Sequence, residues 1–264
     1  MPTALITGGS AGLGRALATA LAERGWRLLL TGRDADRLQA VAGTLASTTA
    51  PSRTTGSGSP SVTAVRGDIA DPHHRAELVA RVGGAGSLDL LVNNASSLGP
   101  TPLRPLRDLS PDDVDGVLAV NVTGPFALTA ALLPALTIAR GTVIGISSDA
   151  AVEHYPGWGA YGASKAALDH LTLTLGVENP DIACYAVDPG DMRTGMQQAA
   201  FPGEDISDRR APAEVVPALL QLIASRPPGG RYRVGDNAAL LADARTSDDG
   251  STAGTDPSAL PAGR

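Results

Sequence analysis

Tyr161 and Lys165 stand four residues apart in the stretch Tyr161-Gly162-Ala163-Ser164-Lys165, and Lys165 is the one lysine among twenty-one basic residues. Every other basic residue is arginine. Lysine carries a compact point charge and arginine a planar fork that stays protonated, so the two differ wherever a partner titrates. On a helix, a spacing of four puts both side chains on one face. An ammonium beside a phenol favours the phenolate, so Lys165 is expected to lower the Tyr161 pKa from its reference of about 10. Tyr161 is then a candidate proton donor and acceptor near neutral pH. Taken alone, the pair also fits a solvated helix face with a chance tyrosine.

The elements that must position such a pair show as an alternation. Apolar, β-rich runs at Thr3–Thr7, Arg27–Thr31, Val62–Val65, Leu88–Val92, Thr142–Ser147 and Ile182–Val187 read as strands. Several are so continuously apolar that both faces must be buried. Gly12–Arg24, Asp34–Ala46 and Pro72–Val82 carry apolar residues at helical spacing. Gly25 reads as a left-handed cap. Ser110-Pro111-Asp112-Asp113 combines a capping serine, a first-turn proline and two acids at the positive dipole end, and should launch a long helix toward Ile138. This alternation predicts an α/β fold, a Rossmann-type doubly wound parallel sheet with helices on both faces, in a single domain over residues 1–244. Ser47–Pro60 reads as a flexible surface insertion and 245–264 as a disordered tail.

The first strand runs into Thr7-Gly8-Gly9-Ser10-Ala11-Gly12-Leu13-Gly14 and then a helix. Such a turn lets the backbone approach a pyrophosphate, with the helix N-terminus supplying donors. The second strand ends at Gly32-Arg33-Asp34. An acid there suits a ribose hydroxyl and a cation suits a 2′-phosphate. Arg33 favours NADP(H), while Asp34, one register away, leaves NAD(H) open. In the alternative reading the two are a solvated loop pair.

These residues make the chain resemble the short-chain dehydrogenase/reductase family over about residues 3–235. The glycine turn matches its Thr-Gly-x-x-x-Gly-x-Gly motif, and Asp68-Ile69 its acid-plus-aliphatic pair, which the resemblance assigns to the adenine. Asn93-Asn94-Ala95 matches its Asn-Asn-Ala-Gly motif, with Ser96 where that motif has glycine. Asn121, Ser148, Pro189-Gly190 and Thr194 fall in order at the remaining motif positions. The resemblance implies that Tyr161 is the general acid in reduction and base in oxidation. It has Lys165 depress the tyrosine pKa and bind the nicotinamide ribose, and Ser148 bond the substrate carbonyl or oxyanion. It has Asn121 hold the helix geometry and a proton-relaying water. The cofactor set it implies is Gly8, Ser10, Gly12, Leu13, Gly14, Arg33, Asp68, Ile69, Asn94, Ala95, Tyr161, Lys165, Pro189, Gly190, Met192 and Thr194.

Met192–Pro212 should lie over the site as a mobile flap, with Glu153, His154, Tyr155 and Trp158 on the opposite wall. Ser147 should point to the opposite face of its strand from Ser148. The net charge of -6 and scattered arginines argue against nucleic acid or an anionic membrane as partner. The single cysteine, Cys184, lies in an apolar run and reads as a buried strand thiol, and no histidine spacing resembles a metal site. Residues Ala119–Ala139 are uncharged but interrupted by prolines and polar side chains, which suits a buried helix better than a membrane span. The N-terminus shows no signal-peptide pattern, and the expected location is cytoplasmic.

The leading reading is an NADP(H)-dependent reductase or dehydrogenase acting on a small carbonyl or alcohol. The competing one is a catalytically silent NADP(H)-sensing protein, against which the retained Tyr161 and Lys165 count. A sugar-nucleotide epimerase needs more chain after Pro189 than is present. A homodimer through the long helices is compatible with their alanine and leucine content. A homotetramer is less supported, because the Asp-Gly-Gly-type ending found in many family members is missing after the short strand expected at 231–235.

Overall fold

The computed structural model of the chain describes residues 1–48, 61–235 and 239–242. The tail expected at 245–264, and all of the 47–60 insertion except its first two residues, lie outside them. Those two, Ser47 and Thr48, complete a helix. Among the described residues, eight strands form one sheet: β1 (Thr3–Thr7), β2 (Arg27–Gly32), β3 (Val62–Arg66), β4 (Leu90–Asn93), β5 (Thr142–Ile146), β6 (Ala183–Asp188), β7 (Gly230–Val234) and β8 (Leu240–Ala242). Their order is β3-β2-β1-β4-β5-β6-β7-β8, parallel throughout except for the antiparallel β7–β8 pair. The order reverses between β1 and β4, where the crossover helices change face and leave a crevice at the strand ends.

Helices α1 (Gly12–Glu23), α2 (Ala35–Thr48) and α8 (Pro212–Ser225) bury Leu17, Leu21, Leu38, Leu219 and Leu222 in a core shared with Ile6, Leu30, Ile144 and Val187. On the other face, α3 (Pro72–Gly83) and α5 (Gly124–Ala139) bury Leu78, Leu128, Leu132 and Leu136 with Leu5, Leu91 and Val143. Adjacent residues on a strand thus enter different cores, which is why these strands read as continuously apolar. Cys184 belongs to the second core, and burial pushes its thiol up to about 12.

The helix launched at Ser110 is capped as its sequence predicts: Ser110 Oγ accepts from the Asp113 N–H at 3.2 Å and Asp113 Oδ2 accepts from the Ser110 N–H at 2.9 Å. It is not one α-helix. After α4 (Pro111–Leu118), a π-helical turn at Ala119–Thr123 intervenes before α5. By length and composition Pro111–Ala139 is apolar enough to cross a membrane, but Leu128, Leu132 and Leu136 are spent on the sheet. Two further helices carry the site: α6 (Gly159–Glu178) and the short α7 (Gly195–Ala200).

The β1–α1 turn closes because two positions lack a side chain. Gly8 has φ +68°, and a Cβ there would stand 2.7 Å from Asn94 Nδ2. A Cβ on Gly14 would run into the Gly8 carbonyl and stand 2.6 Å from the same amide nitrogen. Gly14→Ala is therefore expected to cost about 1–3 kcal/mol of folding free energy through overpacking. Gly43→Ala, in open space within α2, is expected to add about 0.5–1 kcal/mol. Urea denaturation of the two variants checks the opposite signs.

Candidate active site

One cavity of about 930 Å³ opens at the carboxyl ends of the strands, from Arg33 and Arg37 at one end to Tyr161, Trp158 and Phe201 at the other. Its base is the β1–α1 turn, stitched from behind by Asn94. Asn94 Nδ2 donates to the Thr7 and Gly8 carbonyls at 2.8 and 3.2 Å, while Thr7 Oγ1 accepts from the Asn94 and Ala95 N–H groups, both at 3.0 Å. Gly8, Ser10, Gly12, Leu13, Arg33, Asp68, Ile69, Asn94, Ala95, Pro189, Gly190, Met192 and Thr194 all reach the cavity wall. Gly14 does not line it; it lies beneath Gly8, where its missing side chain admits the turn.

At the far end the side chains sort by partner. Asp34 is engaged with α2: its Oδ1 accepts from the Arg37 N–H at 3.0 Å and its Oδ2 pairs with Arg37 Nε at 3.0 Å. Arg33 is 72% exposed and faces Asp68 across 3.9 Å. Ser10 stands beside Gly32, where a Cβ would lie 3.1 Å from Ser10 Oγ. Arg37 also lines this end and escaped the sequence reading, although its place in the first turn of α2 was visible.

At the other end α6 presents Tyr161 and Lys165. Both are buried, at 8% and 1% exposure. Lys165 Nζ donates to the Ile146 carbonyl at 2.7 Å and lies 5.5 Å from the centre of the Tyr161 ring. Burial pulls the Lys165 pKa down to about 8 against the opposing effect of Asp169. Tyr161 departs from expectation: its pKa is raised to about 12, not lowered. Burial of the phenol dominates, and what pulls it back is hydrogen bonding to Ser148 and Ser96. The ammonium gives one of its three N–H groups to a carbonyl and lies 5.5 Å from the ring centre, and desolvation of the phenol outweighs it.

Ser148 Oγ donates to Asp149 Oδ1 at 3.0 Å, and Asp149 Oδ2 accepts from Tyr155 Oη at 2.9 Å. Asn121 is fully buried inside the π-helical turn. Its Nδ2 donates to the Ser97 carbonyl at 2.8 Å and to Ser164 Oγ at 2.9 Å, and its Oδ1 accepts from the Ser97 N–H at 2.7 Å. That ties the turn to both α6 and the loop after β4. Tyr155 and Trp158 reach the wall, with the Trp158 and Tyr161 rings edge to face at 5.5 Å. Glu153 and His154 do not: their stretch of the loop faces solvent. Met192, Thr194, Met196, Gln197 and Phe201 form the opposite wall, in a segment anchored by the Met192–Arg210 bridge.

Beneath these groups lies a charged network unseen in the sequence. Arg231, from β7, sits between Asp169 of α6 (Nε to Oδ2 3.1 Å) and Asp188 of β6 (Nη2 to Oδ2 3.5 Å). Its Nη2 also donates to the Ser148 carbonyl at 2.9 Å. Ser147, turned away from its neighbour as alternation requires, donates to Asp169 Oδ2 at 2.6 Å. Asp188 Oδ1 accepts from the Gly190 N–H at 2.9 Å and fixes the turn after β6. Burial raises both carboxyl pKa values, opposed at Asp169 by Ser147 and Arg231 and at Asp188 by the Gly190 N–H and Arg231.

The short chain dehydrogenase family model matches residues 2–205. An uncharacterized oxidoreductase of Mycobacterium tuberculosis is 34% identical over 223 residues, covering 83% of this chain and 79% of its own length. The 2-(R)-hydroxypropyl-CoM dehydrogenase of Xanthobacter autotrophicus is 33% identical over 210 residues, covering 78% and 80%. A crystal structure of a short chain dehydrogenase from Shigella flexneri, complexed with NADP, superposes with a TM-score of 0.78 at 30% identity, covering 88% of this chain and 95% of that one.

Removing Arg231 takes the guanidinium from both carboxylates and leaves Asp169 to Lys165 and Ser147, and Asp188 to the Gly190 N–H, which costs about 3–5 kcal/mol as for a broken buried pair. Arg231→Met is therefore expected to lose that much stability at neutral pH. Because the penalty exists only while the carboxylates are charged, it should shrink as the pH falls toward the ordinary aspartate value of 3.8. Urea unfolding of wild type and variant at several pH values reads both effects.

Proposed function

The chain belongs to the short-chain dehydrogenase family, and from that premise we propose that it is an NADP(H)-dependent reductase or dehydrogenase acting on a small carbonyl or secondary alcohol. The observation that carries the reading is the meeting of Tyr161, Ser148 and Lys165 at one end of a cavity whose other end holds an exposed arginine. The residues fit such a cofactor. Gly8 and Gly14 keep the turn open where a side chain would clash, and α1 directs its N-terminal amides into the cavity. Arg33 and Ser10 flank Gly32 as partners for a 2′-phosphate, while Asp34 is occupied by Arg37 and is withdrawn from a ribose hydroxyl. The NADP in the Shigella flexneri relative supports the same preference.

When bound, the nicotinamide supplies or accepts the hydride. The chain's own residues handle the proton. In reduction, Tyr161 gives its phenolic hydrogen to the substrate oxygen, and a phenol held up at about 12 keeps that hydrogen at neutral pH. Ser148 turns its hydroxyl from Asp149 to the same oxygen, where charge develops. Lys165 holds positive charge beside the ring and binds the cofactor ribose. Trp158, Phe201 and Leu98 exclude water and shape an apolar seat for the carbonyl compound. The exposed Phe126, Ile138 and Val177 on α5 and α6 offer a face for a homodimer.

NADPH oxidation with cyclohexanone, 4-nitrobenzaldehyde and 9,10-phenanthrenequinone tests the reading. Turnover is expected with NADPH in preference to NADH, and Tyr161→Phe should lower it by about 10²–10⁴ while still binding NADPH. Turnover undiminished in Tyr161→Phe would sink the assignment. Arg33→Ala should raise KM for NADPH about 10-fold or more and leave KM for NADH nearly unchanged, as loss of a charge-assisted bond implies. Equal effects on both cofactors would remove Arg33 from the phosphate site.

A further inference from the structure

We propose that Arg210 is a positioning residue for the bound nucleotide. It pins the turn after β6 to the neck of the flap and to the end of β7, so that the turn keeps its place against the cofactor. The inference rests on the reading of the cavity as an NADP(H) site.

The chain leaves β6 at Asp188 and enters α8 at Pro212. Between them, Pro189, Gly190, Met192 and Thr194 line the cavity. Fixing one turn within so long a connection costs conformational entropy, and contacts must hold it. Asp188 Oδ1 supplies one hold, accepting from the Gly190 N–H at 2.9 Å. Arg210 supplies the other. Its Nη2 donates to the Pro189 and Val234 carbonyls, both at 3.3 Å, and its Nη1 donates to the Gly235 carbonyl at 2.7 Å. A guanidinium offers five N–H groups in a plane, and here it joins two segments that meet only in the fold. Pro189 and Val234 are buried, so the loss of their shared donor is not made good by bulk water.

The turn is shaped to admit the guanidinium. Gly190 has φ +70°, and a Cβ there would stand 2.6 Å from Arg210 Nη2. The backbone of Arg210 closes the neck as well. It forms a parallel bridge with Met192, and its carbonyl accepts from the Arg193 N–H at 2.8 Å. Beside it, Arg209 faces Asp191 across 3.6 Å. The flap therefore begins and ends at one clamped point. Pro189, Gly190 and Met192 lie at the clamp, and Met196 and Phe201 lie beyond it. Arg210 does not itself line the cavity. Its effect reaches the nucleotide through the turn and falls on affinity rather than on the transfer step.

Calorimetric titration of NADPH into wild type, Arg210→Met and Arg210→Lys tests this. Arg210→Met should raise Kd about 10-fold or more, as loss of charge-assisted bonds to carbonyls implies. Arg210→Lys keeps a cation with three donors and should bind within about 3-fold of wild type. In turnover of the fastest of the three carbonyls above, Arg210→Met should raise KM for NADPH and hold kcat, a split that general loss of structure does not produce. An unchanged Kd in Arg210→Met, an equal rise in Arg210→Lys, or a fall in kcat at saturating NADPH without a rise in KM overturns the proposal. If Arg210→Met does not fold, Arg210→Gln takes its place in the same comparison. If wild type binds neither NADPH nor NADH, it is the cofactor reading that fails, and amide hydrogen exchange of the ligand-free proteins decides on Arg210 by itself. Faster exchange confined to residues 190–194 in the variant upholds the clamp, and unchanged exchange there overturns it.

Discussion

Two cations and two carboxylates, Lys165, Arg231, Asp169 and Asp188, lie out of water beneath the ends of β5, β6 and β7. Their neutralisation is the constraint around which the site is arranged. Each charge alone would be costly to bury, and each can remain only while its neighbours keep their places. Arg231 reaches Asp169 on α6, Asp188 on β6 and the carbonyl of Ser148 after β5, so one guanidinium ties together three separate segments of the site. Whatever shifts α6 against the sheet must break that arrangement first. The phenol and the ammonium are held by a helix locked from below rather than by a mobile loop.

Electrostatics within the pair follow from the same burial. Depth disfavours charge on both groups, moving the phenol up to about 12 and the ammonium down to about 8. Spacing in sequence brought the two side chains together, as the helix period requires. It carried no information on how much water each would lose. That is why the expected lowering of Tyr161 did not follow from its neighbour alone.

Much of the fold was legible because the signals are local and repeated. Strands buried on both faces are continuously apolar, and α1, α2 and α3 follow their apolar spacing to within two residues of the expected ends. The glycine turn, Asp68-Ile69 and Pro189-Gly190 were legible as motifs, and the structure brings them to one cavity. Arg231 escaped notice because its partners are 62 and 43 residues away, a distance over which sequence gives no pattern. Helix α8 lies beyond the segment read as a flap, and β8 is a short antiparallel edge without a distinctive apolar run. Ser96 was visible only as a departure from a motif, and what it touches depends on Asn121, brought beside it by the helix after β4.

The π-helical turn around Asn121 has a consequence for how the chain can change. It adds one residue to an otherwise continuous helix, and one residue rotates everything beyond it by about 100°. The face that carries Leu128, Leu132 and Leu136 into the sheet is therefore set in phase by that extra residue. Deleting a residue there would regularise the helix and improve its own hydrogen bonding, yet turn this leucine row out of register with β4 and β5. The irregular turn and the regular core after it must be inherited together. Single-residue length variation is closed to this segment, although much of the helix surface is free to accept substitutions.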